Sequence, residues 1–396
     1  MPRTYALWRL PRTASGADRY GLLVRLLFVS GTITGGSGRS QRELAARLAL
    51  RGHEVLFLVD DELPARVRHF VYENLADLAV LVGDRPGARL VRFIERQPGR
   101  RTRSTQMNGV DHLITPVPEN AAPGVIESFQ PDVVVANSVL RLTWRKVHEL
   151  CEQRGIATVL YVREVAAMNH FTLGVQPAHR IVANAQSLAS AVEQLGYPCS
   201  VLPSVIEIGV TRVSPHRLAA LVINPIASHG IDIVWRLARE LPEVTFVIQQ
   251  SWPLSDAEFA VLQRTAETLP NVELRRAAPA GASLYADARV LLVPHRIDNR
   301  PRVVAEAQAN GIPVIASNKP GLVEAVGTGG LIIDLDDLQG WVTALRLLWT
   351  DDDEYDRLMT RAISHSQRPE IDPEHITAAF ESLIEEAVAA AGRDIA

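Results

Sequence analysis

Cysteine and lysine are almost missing from these 396 residues: two cysteines, Cys151 and Cys199, and two lysines, Lys146 and Lys319. Two thiols cannot build a disulfide framework or a zinc cage, and Cys151 falls in a helical pattern where a small buried hydrophobe is common. That usage fits a reducing cytoplasm, and no metal site is expected. Apolar runs stop far short of the roughly 20 residues that cross a bilayer. No lipidation motif is present either, so a transmembrane segment is not expected, while peripheral membrane contact stays open. The first twenty residues carry Arg3, Arg9 and Arg12 without a continuous apolar core, which argues against a secretory signal and for an N-terminal extension, residues 1–20. A formal charge of −4 and a pI near 6.3 give no cationic surplus for coating nucleic acid. With 47% hydrophobic and 22% charged residues, the composition is that of a globular enzyme rather than a disordered or membrane chain.

The length allows two domains of about 150–200 residues each. Val24–Ser30 is a short apolar run, Ser40–Leu50 has helical spacing, and Glu54–Val59 is a second apolar run, which together predict a β-α-β unit. The pattern recurs at 131–137, a helix from Leu142 and 158–164, and again at 180–184, a helix through Leu195 and 200–202. Periodicity breaks around Pro203–Ser214. A second series of strands then follows at 219–224, 244–248, 272–275, 290–294, 313–317 and 330–333. The boundaries read as 21–205 for a first Rossmann-like domain, 206–370 for a second and 371–396 for a last helical segment. In open α/β sheets ligands bind beyond the carboxyl ends of strands, where Gly35, Arg163, Asn224, Arg275 and Asp298 fall. Two such edges facing each other would form a cleft. The acidic run Asp351–Glu354 reads as a solvated helix start.

The stretch 298–324, DNRPRVVAEAQANGIPVIASNKPGLVE, concentrates chemistry. Asp298 and Glu306 flank a helix start that Pro301 marks, because proline lacks only an N–H that the first turn does not use. The loop Asn299-Arg300-Pro301-Arg302 would open that helix, and the unpaired backbone amides there would face an anion. Gly35, Gly36, Ser37, Gly38 and Arg39 follow a strand and open a helix, the setting of an anion or substrate cradle. Gln41 stands where a dinucleotide fingerprint requires its third glycine, so an NAD reading is weak.

Glu306-Ala307-Gln308-Ala309-Asn310-Gly311-Ile312-Pro313-Val314-Ile315-Ala316-Ser317 and Gly321-Leu322-Val323-Glu324 resemble the signature of retaining glycosyltransferases of family four. The resemblance implies the GT-B fold: two Rossmann-like, doubly wound parallel-sheet α/β domains facing across a cleft, with the last helix crossing back to the first. It implies a nucleoside-diphosphate sugar as donor, with no tightly bound cofactor, and a small-molecule, glycan or lipid hydroxyl as acceptor. Asp298 would lie by the donor sugar and Glu306 would bind the ribose. Asn224, His229, Arg275, Asn299, Arg300, Pro301, Arg302 and Val303 would complete the donor site, and residues 35–39 would lie near the donor phosphates and acceptor.

Two departures from the family pattern stand out. Where relatives grip the diphosphate with arginine and lysine, this chain has Asn224-Pro225-Ile226-Ala227-Ser228-His229-Gly230. The arginine is gone and His229, charged only below its pKa, stands for the lysine; Arg300 and Arg302 are then the substitutes expected at the phosphates. Arg163-Glu164 replaces a His-Asp pair at the catalytic strand end, with His170 close by in sequence. The reading is a retaining glycosyltransferase. Its rivals are a silent relative that binds nucleotide, glycan or partner, and a sugar-nucleotide epimerase or hydrolase.

Overall fold

The structure, a computed structural model, describes residues 23–32, 35–60, 102–116, 118–137, 141–165, 168, 171, 177–252, 254–277 and 284–392. The proposed N-terminal extension 1–20 and His170 lie outside them. Two compact units divide the chain: Met1–Asn184 with Leu188–Leu202 and Thr377–Ala396, and Pro203–Ile376 with Ala185–Ser187.

The first unit runs β1 (Arg25–Ser30), α1 (Gly35–Leu50), β2 (Glu54–Asp60), β3 (Arg103–Met107), β4 (Val110–Thr115), α2 (Pro118–Phe129), β5 (Val133–Asn137), α3 (Arg141–Gln153), β6 (Ala157–Val162), β7 (Arg180–Ala183), α4 (Gln186–Gln194) and β8 (Ser200–Val201). Among the described residues its eight strands lie in the order β3-β4-β2-β1-β5-β6-β7-β8. Every residue of β5 and β6 is buried, as in a sheet covered on both faces, which is why these strands read as unbroken apolar runs. One feature departs from the expected all-parallel sheet. β3 pairs antiparallel with β4, joined by Asn108 and Gly109 at φ 52° and 76°, the left-handed pair that a tight hairpin turn requires.

The second unit runs β9 (Ala219–Ile223), α5 (Ile231–Glu240), β10 (Phe246–Gln249), α6 (Asp256–Ala266), β11 (Val272–Arg275), β12 (Ala288–Val293), α7 (Arg302–Ala309), β13 (Val314–Ser317), α8 (Pro320–Val326), β14 (Gly330–Ile333), α9 (Leu338–Thr350) and α10 (Asp352–Ser366). Its six strands among the described residues are all parallel, in the order β11-β10-β9-β12-β13-β14. Successive side chains of β9 alternate between the faces. Ala220 and Val222 join a core with Leu237 of α5 and Trp341 of α9, while Ala219, Leu221 and Ile223 join another with Val304 of α7 and Leu322 of α8. Asp351 begins α10 as a cap, its carboxylate accepting the Glu354 amide at 2.9 Å, so the acidic run does open a helix.

The final helix, α11 (Pro373–Ala390), is counted with the first unit from Thr377 onward. Phe380 packs in that unit's core, with ring centroids 6.4 Å from both Phe28 and Tyr161.

Each sheet reverses its winding direction once. In the first unit this happens between β1 and β5, and in the second between β9 and β12. A crevice at the carboxyl ends of the strands goes with such a reversal, so among the described residues ligand chemistry is expected at 31–32 and 35–37 in one unit and at 224–230 and 294–301 in the other.

Candidate functional site

In the second unit the loop after β12 is built around Asp298. Its Oδ1 accepts the backbone N–H of Gly321 at 2.7 Å, tying the loop to the first turn of α8. Gly321 fits because a Cβ there would sit 2.7 Å from the carbonyl oxygen of Asn299. The Asn299 side chain turns back to meet His295 Nδ1 at 3.1 Å. The Ser317 hydroxyl donates to the His295 carbonyl at 2.6 Å, which gives the last residue of the 306–317 run a task at the loop's root.

Pro301 lies just outside the helix it was expected to begin. At φ −75° and ψ 136° it is the capping residue, and α7 starts at Arg302. Val303 packs on the apolar core below. Glu306, 2% exposed, accepts the Tyr285 hydroxyl at 2.6 Å on one carboxylate oxygen and Arg302 Nε at 2.7 Å on the other. Arg300 is likewise engaged, its Nη1 lying 2.7 Å from Glu324. Each arginine expected at the phosphates is thus paired with a carboxylate of the same motif. Their charge is largely compensated by Glu324 of α8 and Glu306 of α7.

The rest of the signature is structural. Gln308 donates to the Val326 carbonyl at 2.8 Å. Asn310 clamps the segment entering the unit, donating to Thr211 O at 3.0 Å and accepting the Val213 amide at 2.7 Å. Gly311 takes φ 68°, where a side chain would be strained.

The loop after β9 approaches the same crevice. Asn224 holds φ 62°, a left-handed conformation asparagine tolerates, and its Oδ1 accepts the amides of Ser251 and Trp252 at 3.0 and 2.8 Å. It therefore brackets the turn after β10. Gly230, at φ 71°, passes so close to β12 that a Cβ would lie 2.0 Å from Pro294 O. Arg296 N also donates to Ser228 O at 2.8 Å. These contacts bring His229 against His295, with ring centroids 3.9 Å apart and planes at 16°. Trp252 meets His229 edge-on at 5.0 Å.

Both histidines are deeply buried, at 4% and 5% exposure. Burial pushes the His229 pKa below its usual value, although the nearby carbonyls of Ile223 and Asn224 oppose this. Burial and the neighbouring His229 hold His295 down at about 3. The pair is neutral at physiological pH. Neither ring nitrogen of His229 makes a hydrogen bond among the described residues; the two carbonyls lie close without hydrogen-bond geometry.

Arg275, at the end of β11, spans Glu273 at 2.7 and 2.8 Å and Asp287, next to β12, at 3.0 Å. Its guanidinium is committed to these acids.

In the first unit the glycine run 35–39 is the opening turn of α1, so the helix begins five residues before Ser40. Asn137, at the end of β5, donates to Ser37 Oγ at 3.1 Å across the winding reversal. Arg39 pairs with buried Glu43 at 2.8 Å. Arg163, 7% exposed, lays its guanidinium over the Tyr161 ring at 4.0 Å, and the Tyr161 hydroxyl donates to Leu202 O at 2.6 Å.

Tyr285, His295, Trp252 and Ser317 were not singled out from sequence. Only Ser317, as part of the signature, carried a local signal.

A model of the family described as Glycosyl transferases group 1 matches residues 227–351, so the resemblance holds over that part of the second unit. A D-inositol 3-phosphate glycosyltransferase of Corynebacterium kroppenstedtii is 36% identical over 89 residues, 22% of this chain and 20% of that protein. The corresponding protein of Corynebacterium urealyticum is 39% identical over 88 residues, 22% of this chain and 21% of its own. The chain thus spans about a fifth of the length of the curated relatives it matches. Similarity of fold is far wider. The Anabaena protein HepE in complex with UDP-glucose superposes with a TM-score of 0.68 at 14% identity, covering 91% of this chain and 99% of that one. Sucrose-phosphate synthase from Thermosynechococcus elongatus gives a TM-score of 0.69 at 15% identity, covering 93% and 100%. The architecture is the GT-B fold of glycosyltransferases, as the resemblance implied.

Proposed function

We propose that this chain is a retaining glycosyltransferase that moves a sugar from a nucleoside-diphosphate sugar to a hydroxyl acceptor. The observation that carries the reading is the Asp298–Gly321 hydrogen bond that closes the loop at the β9/β12 crevice, with Glu306 one turn into α7 beyond that loop. Oδ1 of Asp298 is used by the Gly321 amide, and Oδ2 has no hydrogen-bond partner among the described residues. A sugar hydroxyl would take that oxygen. Glu306 would meet the ribose by exchanging Tyr285 or Arg302 for a ribose hydroxyl. Arg302, so released, would turn its charge to the diphosphate, and preorganised positive charge on the leaving group is the main catalytic need.

The departing phosphate would accept the acceptor's proton, so Arg163 need not act as a base; it would orient acceptor or phosphate together with Gly35, Gly36, Ser37, Gly38 and Arg39. HepE was solved with UDP-glucose, which makes a uridine diphosphate sugar the first donor to test. The family match lies within the second unit and bears on the donor rather than the acceptor. The unpaired thiols Cys151 and Cys199 suit a cytoplasmic reaction.

Calorimetry with a panel of nucleoside diphosphates and their sugars should give one site per chain, and product should form with a pool of polyol, glycan and lipid acceptors. Absence of both binding and turnover across the panel would defeat the reading.

One observation favours a silent binding protein instead: both oxygens of Glu306 are already occupied by Tyr285 and Arg302. On that reading Glu306→Gln would leave ligand binding unchanged and no donor would be turned over.

A further inference from the structure

At the amino terminus of α5 two neutral, stacked imidazoles stand where a bound anion would be held. We infer that the His229–His295 pair binds the diphosphate of a nucleoside diphosphate with uptake of one proton from solvent, shared by the two rings. The inference deepens the donor reading above and rests on it.

Three observations lead there. First, His229 precedes Gly230, the capping residue of α5, and the uncompensated amides of a helix start attract anions. Second, His229 is 4% exposed with neither ring nitrogen hydrogen-bonded among the described residues. A buried polar group without a partner is costly, so the site gains when a ligand oxygen supplies one. Third, the stack joins the two loops that part at the winding reversal, His229 from the loop after β9 and His295 from the loop after β12.

The charged groups on the surrounding elements are held by partners, Arg302 of α7 by Glu306 among them. On α5, Asp232 holds Arg296 of the β12 loop at 2.6 Å. In the same loop Asp298 holds Gly321 and Arg300 holds Glu324. Beyond β10, Arg275 is held by Glu273 and Asp287. Asn224, Trp252 and Asn299, which touch the pair or its loops, do not titrate.

One proton is expected rather than two, because rings 3.9 Å apart oppose a second positive charge. Buried as they are, both rings are neutral, so the positive charge would arrive with the ligand. The proton comes from the buffer, goes to a ring nitrogen and faces a phosphate oxygen; no covalent bond changes. A lysine at this position would bind the same anion without proton uptake.

The test is calorimetry of the full chain with UDP, ADP and GDP at pH 7.5, in buffers of differing ionisation enthalpy. At that pH the terminal phosphate, whose second ionisation lies near pH 6, has lost its own proton. The dependence of heat on buffer should correspond to uptake of about 0.5–1 proton, and affinity should fall by up to about tenfold per pH unit once the bound pair titrates. His229→Gln and His295→Gln should each cut the uptake, and His229→Lys should abolish it while retaining binding. Folding of each variant is checked by circular dichroism. Binding without proton uptake, or uptake unchanged in both glutamine variants, overturns this inference and leaves the donor reading standing. Failure of all three nucleotides to bind between pH 6 and 8 removes both.

Discussion

Asp298 and Gly321, 23 residues apart, close the site loop by one hydrogen bond of 2.7 Å from the glycine amide to the carboxylate. The two positions answer different questions. In Gly321→Ala the new methyl would lie 2.7 Å from Asn299 O and 3.0 Å from the Asp298 carboxylate, so the loop must shift. Overpacking of this kind costs about 1–3 kcal/mol, to be read by urea unfolding. Asp298→Asn keeps an acceptor for the Gly321 amide and should lose less than about 1 kcal/mol of stability. Its turnover should nevertheless fall by about 100-fold as the charged sugar contact is lost, measured as product formed per unit of bound donor.

Arg302 and Glu306 form an i,i+4 ion pair with side chains 6% and 2% exposed. Removing one partner of such a pair leaves an uncompensated buried charge, at a cost of about 3–5 kcal/mol. Arg302→Met should therefore destabilise strongly. Glu306→Gln should cost less, because the amide oxygen can still accept from Tyr285 or Arg302. The double variant Arg302→Met/Glu306→Leu should recover most of the loss, since apolar replacement of a buried pair is often neutral. A double-mutant cycle in urea measures the coupling. The double variant should still lack activity, which separates folding from ribose binding.

Tyr285 is 0% exposed and gives its hydroxyl hydrogen to Glu306 at 2.6 Å. Tyr285→Phe preserves the ring's packing and removes one charge-assisted hydrogen bond, so about 1.5–3 kcal/mol of stability should be lost. Under the proposed function a ribose hydroxyl takes over this acceptor. Saturating nucleotide should then restore more stability to Tyr285→Phe than to the parent chain, a comparison made by thermal unfolding with and without UDP.

Apolar runs made most of the sheet legible, because strands buried on both faces cannot be anything but continuous hydrophobic sequence. β9 is such a case, with all five residues buried. The β3–β4 hairpin went unread because β3, Arg103–Met107, is polar and largely exposed at the sheet edge. Its one clear signal was Asn108-Gly109 in the turn. In the site, the signature located Glu306 but could not show what its carboxylate touches: Tyr285 lies 21 residues upstream, with no fixed spacing to it. His295 was silent for a similar reason. Its partner His229 lies on another strand's loop, and only the sheet order brings the two together. Arg300 and Arg302 could be read as available cations until their carboxylate partners, Glu324 and Glu306, were in place.

The same histidines contribute to the protein's response to acid. In an unfolded chain each imidazole titrates near pH 6.5. In the folded protein both pKa values are lowered, to about 3 for His295, chiefly by burial. Between the two values the unfolded state binds more protons than the folded one, so stability rises with pH and is lost as pH falls below 6.5. Above pH 6.5 the rings are neutral in both states and the contribution is flat. A single histidine held neutral in this way costs about 1.4 kcal/mol per pH unit across the window. Urea unfolding from pH 7 down to pH 4.5 should therefore show stability falling, and His295→Gln should shallow that fall by about 2–3 kcal/mol at the acid end. The variant also removes a ring stacked at 3.9 Å, so its stability at pH 7 serves as the reference and only the slope is compared. An unchanged slope in His295→Gln would show that this ring takes up its proton in the folded protein as readily as in the unfolded chain.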